Sequence, residues 1–164
     1  MVYRESFEVQ SNHRVCTFHD VTTTTLEIAA RSNIQNGIVV VYSRHTTCSV
    51  ITQECAFDES MTGLETLQQD LLDSFDRFIP TQTREGLYLH PGPKALIFAA
   101  EHGEDTRGCH NTDAHLRSSI IGRSQTIVLI DGKPDLGEFG HIHFIDFDQT
   151  RDRKRTIQVM IIGE

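Results

Sequence analysis

The sequence predicts an α+β fold in a single domain spanning residues 1–164, with mixed or antiparallel sheets packed against about three helices. Strand-like and helical segments do not alternate strictly along the chain, so an α+β arrangement is preferred over a doubly wound sheet. The run Leu64, Leu67, Leu71, Phe75 steps by three, four and four residues, which marks one apolar face of a helix. No linker or internal repeat divides the chain, and a chain of 164 residues buries about 68–70% of its unfolded surface as one unit.

Taken in order, YRESFEVQ alternates loosely with Phe7 and Val9 on one side and reads as a strand, and RVCTF reads as a second. Asp20 is a good N-cap for a helix through VTTTTLEIAARSN, with Asn36-Gly37 as its stop. Its four threonines are poor helix formers in the opening turns. Residues 38–43 are apolar on both faces and predict a central or doubly covered strand. CSVITQ continues as a strand after the turn RHTT. An amphipathic helix is expected from about Ser60 to Phe78, closed by Pro80. A long loop then carries Tyr88, His90 and Pro91, followed by the apolar patch ALIFAA. NTDAHLRSSIIG has capping residues at its start and Gly122 at its end, a short helix. TIVLI is a strand, Asp131-Gly132 a tight turn, and FGHIHFIDF and TIQVMII complete the strands.

Composition excludes several classes of function. With 38% apolar and 23% charged residues, the chain is neither disordered nor of low complexity. A formal net charge of −8 argues against nonspecific binding to DNA or RNA, which depends on a basic surface. No apolar run approaches the about 18 residues of a membrane span, so no membrane partner is expected. MVYRESFEVQ lacks the basic and apolar regions of a secretion signal, and four cysteines without C-x-x-C spacing read as reduced thiols. A cytoplasmic location is the expectation.

The nine histidines carry the most chemistry. His45 sits at the end of the apolar strand, where loops over a sheet edge commonly hold function. Thr46 and Thr47 offer hydroxyls to a ligand, or to the turn itself. His90 lies in the loop after Tyr88, and His115 in the first turn of a helix, whose dipole keeps the ring neutral as a metal requires. Three neutral imidazoles with an open position can hold a catalytic divalent ion of the zinc class, although spacings of 45 and 25 residues match no local motif. A competing pair, His141 and His143, lies at i and i+2 on one strand face, either as a metal pair or as an exposed polar face. Glu54 and Asp70 are available to orient imidazoles or to act as general bases. Arg151, Arg153 and Arg155 share one face if RDRKR is extended, as an anion site or a solvated edge. Cys48 and Cys109 lie near histidines but lack a base-and-orienter pattern. GxxxxGK[ST], GxGxxG, GxSxG and HExxH are all absent.

In combination, HTTCSVITQE, the helix with Asp70, Y-L-H at 88–90, NTDAHLRSSIIG, the D-G turn, Leu136-Gly137 and the basic segment ending in a strand with a final G-E resemble the YjbQ family, from about residue 4 to 164. Members of that family are sometimes labelled secondary thiamine-phosphate synthase. The resemblance implies a compact α+β fold assembled as a homotrimer. It also implies that His45, His90 and His115 converge on a metal (zinc or magnesium class) or an anion, with Glu54, Asp70 and Asn111 nearby in catalytic roles. A small phosphorylated molecule would be the partner, held by Thr46, Thr47, Arg151 and Arg153. Under the thiamine label, a pyrimidine diphosphate and a thiazole phosphate condense with loss of pyrophosphate. The rivals are a metal- or anion-binding protein without turnover, and a metal-dependent hydrolase using Glu54 or Asp70 as base. Where the family usually reads L-G-T-W-Q, this chain has Leu136-Gly137-Glu138-Phe139-Gly140, and the span between His90 and His115 carries an extra segment around GPKALIFAAEHGED.

Overall fold

A computed structural model describes all residues, 1–164. Eight strands run in order with four helices: β1 (Val2–Ser11), β2 (Thr17–Asp20), α1 (Thr22–Ser32), β3 (Gly37–Ser43), β4 (Cys48–Glu54), α2 (Thr66–Asp76), α3 (Pro93–Glu101), a 3-10 turn (Thr106–Cys109), α4 (Thr112–Ile121), β5 (Ser124–Ile130), β6 (Lys133–Pro134), β7 (Gly140–Asp146) and β8 (Arg153–Gly163). They form two antiparallel sheets, one ordered β1-β8-β3-β5-β6 and a smaller one ordered β2-β7-β4. The α+β fold expected from the sequence is the fold observed, with one helix more than anticipated.

Alternation along the strands builds the core. Val39, Val41, Ile157, Val159, Ile161, Ile127 and Leu129 send their side chains to one face of the large sheet. There they meet Ile28 and Ala29 of α1 and Val50, Ile142 and Phe144 of the small sheet. The opposite face of the small sheet turns Ile145 into a second cluster with Phe147, Phe75, Ile79, Ala114 and Cys16. The small sheet therefore contributes apolar side chains to clusters on both of its sides. Each fully buried aliphatic or aromatic side chain contributes about 1.5–3 kcal/mol, so these two clusters hold the layers together.

Several elements differ from the sequence reading. The strand 38–43 is central, between β8 and β5, but buried on one face only: Val39 and Val41 are inside while Ile38 is exposed. The outer face of an antiparallel sheet tolerates that exposure. The second strand begins at Thr17 instead of Arg14, because Arg14 takes a left-handed φ of 77° in the preceding turn. Asp20 accepts the Thr22 amide at 2.8 Å, but α1 stops at Asn33 in the left-handed conformation, before Asn36-Gly37. The amphipathic helix starts at Thr66 and not near Ser60. Gly63 at φ 80° breaks the chain there, and Glu65 and Gln68 form a reciprocal capping box at the new start. ALIFAA lies in α3, started by Pro93, with only Ala99 buried and Ile97 and Phe98 exposed. No helix is long and apolar enough to cross a membrane.

Candidate functional site

The turn after β3 places Arg44, His45, Thr46 and Thr47 at the mouth of a cavity of about 350 Å³, lined by eleven residues and by no apolar side chain. The start of β8 and the segment before it supply Arg151, Arg153 and Arg155 to the same cavity, as the alternation of RDRKR predicts. The region of the α4 N-terminus adds Asn111 and His115, and the loop after α3 adds Glu104. Asp148 completes the wall. Four arginines thus face two carboxylates.

Buried ion pairing fixes the floor. Arg155, 3% exposed in its side chain, donates to both oxygens of the fully buried Asp146, at 2.5 and 3.0 Å, and to Thr47 Oγ1 at 3.1 Å. Asp148, also buried, lies 3.6 Å from Arg155 and accepts from Asn111 Nδ2 at 3.1 Å. Thr47 and Asn111 are therefore braces of the floor, whereas Thr46 is exposed at the rim. Arg155 is neutralised within the protein. Arg151 and Arg153 are less fully engaged: the Nε of each is buried without a hydrogen-bond partner. Arg151 makes one ion pair, Nη1 to Glu104 Oε2 at 3.2 Å. Burial, with the charges of Arg151 and Arg155 beside it, pulls Arg153 below the usual guanidinium range. A buried donor that lacks a partner costs about 1–3 kcal/mol, and both of these belong to side chains that line the polar cavity. Gly108 permits this arrangement, since a Cβ there would come within 3.0 Å of Arg151 Cζ.

The three histidines divide. His45 Nε2 accepts the backbone N–H of Thr156 at 3.0 Å, so the neutral ring carries its proton on Nδ1 as a donor. Burial, followed by the charges of Arg155 and Arg44, pushes this ring below its usual value and keeps it neutral at pH 7. His115 Nδ1 lies 3.2 Å from the Thr46 carbonyl, which makes Nδ1 the donor and leaves Nε2 with a free lone pair. Burial lowers His115 as well. Thr112 donates its hydroxyl to the His90 carbonyl at 2.7 Å and stands 3.1 Å from His90 Nδ1, so that nitrogen must donate too. The rings of His90 and His115 are 5.6 Å apart, centre to centre. His90 stays outside the arginine-lined cavity.

A three-imidazole metal centre does not fit these residues. No three histidine, cysteine, aspartate or glutamate side chains converge to hold an ion, and the acceptor lone pair of His45 is already used. Glu54 and Asp70 are not brought to the cavity either. Glu54 is exposed at the far end of β4 from Cys48, opposite Gly140, about 20 Å along the strand. Asp70 is exposed on α2. Arg44, Glu104 and Asp148 line the cavity without having been singled out in the sequence. Asp146 and Asp148, two acids closing an apolar strand just before RDRKR, carried a readable signal of buried pairing.

His19, His45, His115 and His143 all sit below their ordinary value, each chiefly through burial. The unfolded chain therefore takes up protons first, so this stability is fully present above about pH 6.5 and is lost as the pH falls below it. The lowered carboxyls, such as Asp20 and Asp76, hold their contribution down to about pH 4. Thermal unfolding is expected to show a lower Tm at about pH 5.5 than at about pH 7.5. Separately, Glu104→Gln removes the one carboxylate that competes for Arg151. Phosphate affinity, read by calorimetric titration, is expected to rise about 2- to 5-fold, as suits a partly exposed ion pair.

The chain matches the family described as UPF0047 protein YjbQ-like over residues 5–164. It is similar to a UPF0047 protein of Methanocaldococcus jannaschii, at 31% identity with 96% of this chain and 93% of that protein covered. It is also similar to the UPF0047 protein YugU of Bacillus subtilis, at 27% identity with 86% and 87% covered. A YbjQ-like protein from Sulfolobus solfataricus has the same fold, with a TM-score of 0.72 at 25% identity over 100% of this chain and 99% of that one. A YjbQ/UPF0047 protein from Clostridium acetobutylicum gives a TM-score of 0.70 at 27% identity, with 96% and 99% covered. This chain belongs to the YjbQ (UPF0047) family.

Proposed function

We propose that the cavity binds the phosphate or pyrophosphate group of a small phosphorylated molecule and that the protein is an enzyme acting on that molecule. The observation that carries this reading is the pair of buried, unpartnered Nε donors of Arg151 and Arg153 in a cavity without apolar lining. Guanidinium matches phosphate geometry and stays charged. His45 Nδ1–H adds a neutral donor, and His115 Nε2 keeps a free lone pair in the wall of the same cavity. Transfer with departure of pyrophosphate, as in thiamine-phosphate synthesis, needs such a clamp on the leaving polyanion.

His90 and His115 are the residues that would hold a divalent cation, because both keep Nε2 free while Nδ1 is tied to oxygen. Such an ion would add positive charge at the leaving group. A homotrimer is part of the same proposal. Its support is the row Val2, Ile162, Ile38 and Val128, exposed side by side across β1, β8, β3 and β5 on the open face of the large sheet. A cytoplasmic location is proposed from the four free cysteines.

Binding without turnover is the second reading. Burial raises the Cys48 thiol, and raises Cys16 to about 12, so neither offers a thiolate nucleophile. The hydrolase reading loses its bases, since Glu54 and Asp70 lie away from the cavity. Incubation of purified protein with a pyrimidine diphosphate and a thiazole phosphate separates the first two. More than one pyrophosphate released per chain supports the enzyme, and saturable binding with no release supports the binding protein.

A further inference from the structure

His141 and His143 lie on the face of β7 that also carries Ile145, directly opposite Gln53 and Ile51 of β4. A solvated polar face was the alternative to a metal pair in the sequence, and it is not what forms. His143 is 1% exposed, and neither of its ring nitrogens has a hydrogen-bond partner. Gln53 Oε1, facing His141 across the strands, is buried and unpartnered as well. Buried polar atoms are nearly always bonded, so three of them in neighbouring positions on one sheet face point to a missing partner.

His141 is oriented for the same partner. Its Nδ1 lies 2.7 Å from Asp20 Oδ2, and Asp20 is itself held by the Thr22 amide at 2.8 Å. A carboxylate on one imidazole nitrogen fixes the tautomer and makes the other nitrogen the better ligand. The two rings are nearly parallel at 17°, with centres 6.2 Å apart, a separation that one ion at about 2.0–2.1 Å from a nitrogen of each can still bridge. The His141 side chain is 35% exposed and gives a path inward from solvent.

We propose that His141 and His143, with Gln53 beside them and Asp20 as the positioning residue, bind one divalent transition-metal ion. Imidazole ligands select zinc, copper, nickel or cobalt over magnesium and calcium. The remaining coordination positions belong to Gln53 Oε1 and water. This site lies on the small sheet, is separate from the arginine-lined cavity, and does not rest on the function proposed for that cavity.

The test is a titration of the full chain, stripped with a chelator, using Co²⁺ followed by its visible absorption and Zn²⁺ followed with a chromophoric competitor. The expected result is one equivalent that persists in the His90→Ala, His115→Ala double variant and is lost in both His141→Ala and His143→Leu. Asp20→Asn is expected to weaken it about 10- to 100-fold. His141→Ala removes a partly exposed side chain and keeps the test valid if His143→Leu fails to fold. Three results would overturn the proposal: no binding by the unaltered chain, equal binding in His141→Ala, or loss of the equivalent in the His90→Ala, His115→Ala variant.

Discussion

Arg155→Met is expected to destabilise the fold by about 3–5 kcal/mol, the cost of removing one partner from a buried ion pair. Asp146 is fully buried and accepts two hydrogen bonds from Arg155, its one ion-pair partner, and buried Asp148 faces the same guanidinium. Methionine preserves much of the volume, so the loss comes from two carboxylates left without a counter-charge. Urea denaturation of the variant measures it directly. Arg155→Met with Asp146→Leu is expected to recover part of the loss, because the pair removed together leaves one buried charge fewer. Equal stability of Arg155→Met and the unaltered protein would show that Arg155 is not the floor of the cavity.

Arg153→Ala is expected to weaken phosphate binding about 10- to 100-fold with little effect on stability, the reverse of Arg155→Met. A hydrogen bond to a charged group is worth about 1.5–3 kcal/mol, and about 1.4 kcal/mol is tenfold in affinity. Arg153 has no carboxylate partner, and its Nε is buried and unbonded, so the folded protein loses no ion pair with it. Calorimetric titration of inorganic phosphate, set beside urea denaturation of the same variant, separates the two arginines. A loss of stability in the first variant and a loss of phosphate affinity in the second is the expected pattern.

The parts of this site legible in the sequence are those set by local period. GIVVVYS ends at Ser43, two residues before His45, because an apolar strand that turns polar so abruptly has reached the sheet edge. Arg151, Arg153 and Arg155 reach one cavity because an extended chain repeats every two residues. His115 sits where the caps of α4 place it. Distance along an element is less legible: Glu54 closes the strand that begins just after His45, and so lies at the end of β4 away from the cavity. Asp70 belongs to a helix whose start was set by Gly63 and Glu65, not by the leucine spacing. The burial of His143 and the pairing of Glu104 with Arg151 come from packing between segments distant in sequence, and periodicity carries no record of that.

RHTTCSV therefore has two tasks at the close of β3. Thr47 braces Arg155, while His45, docked on the Thr156 amide, turns its Nδ1–H outward as a donor. The polar residues after the buried strand line an arginine-rich cavity built on rigid strands.

The measurement that tests this account most directly is a calorimetric titration of inorganic pyrophosphate into the unaltered protein and into the Arg151→Ala, Arg153→Ala double variant. The account predicts saturable binding of one pyrophosphate per chain, weakened at least about 100-fold in the double variant. Absence of binding, or binding of equal strength in the two proteins, would contradict it.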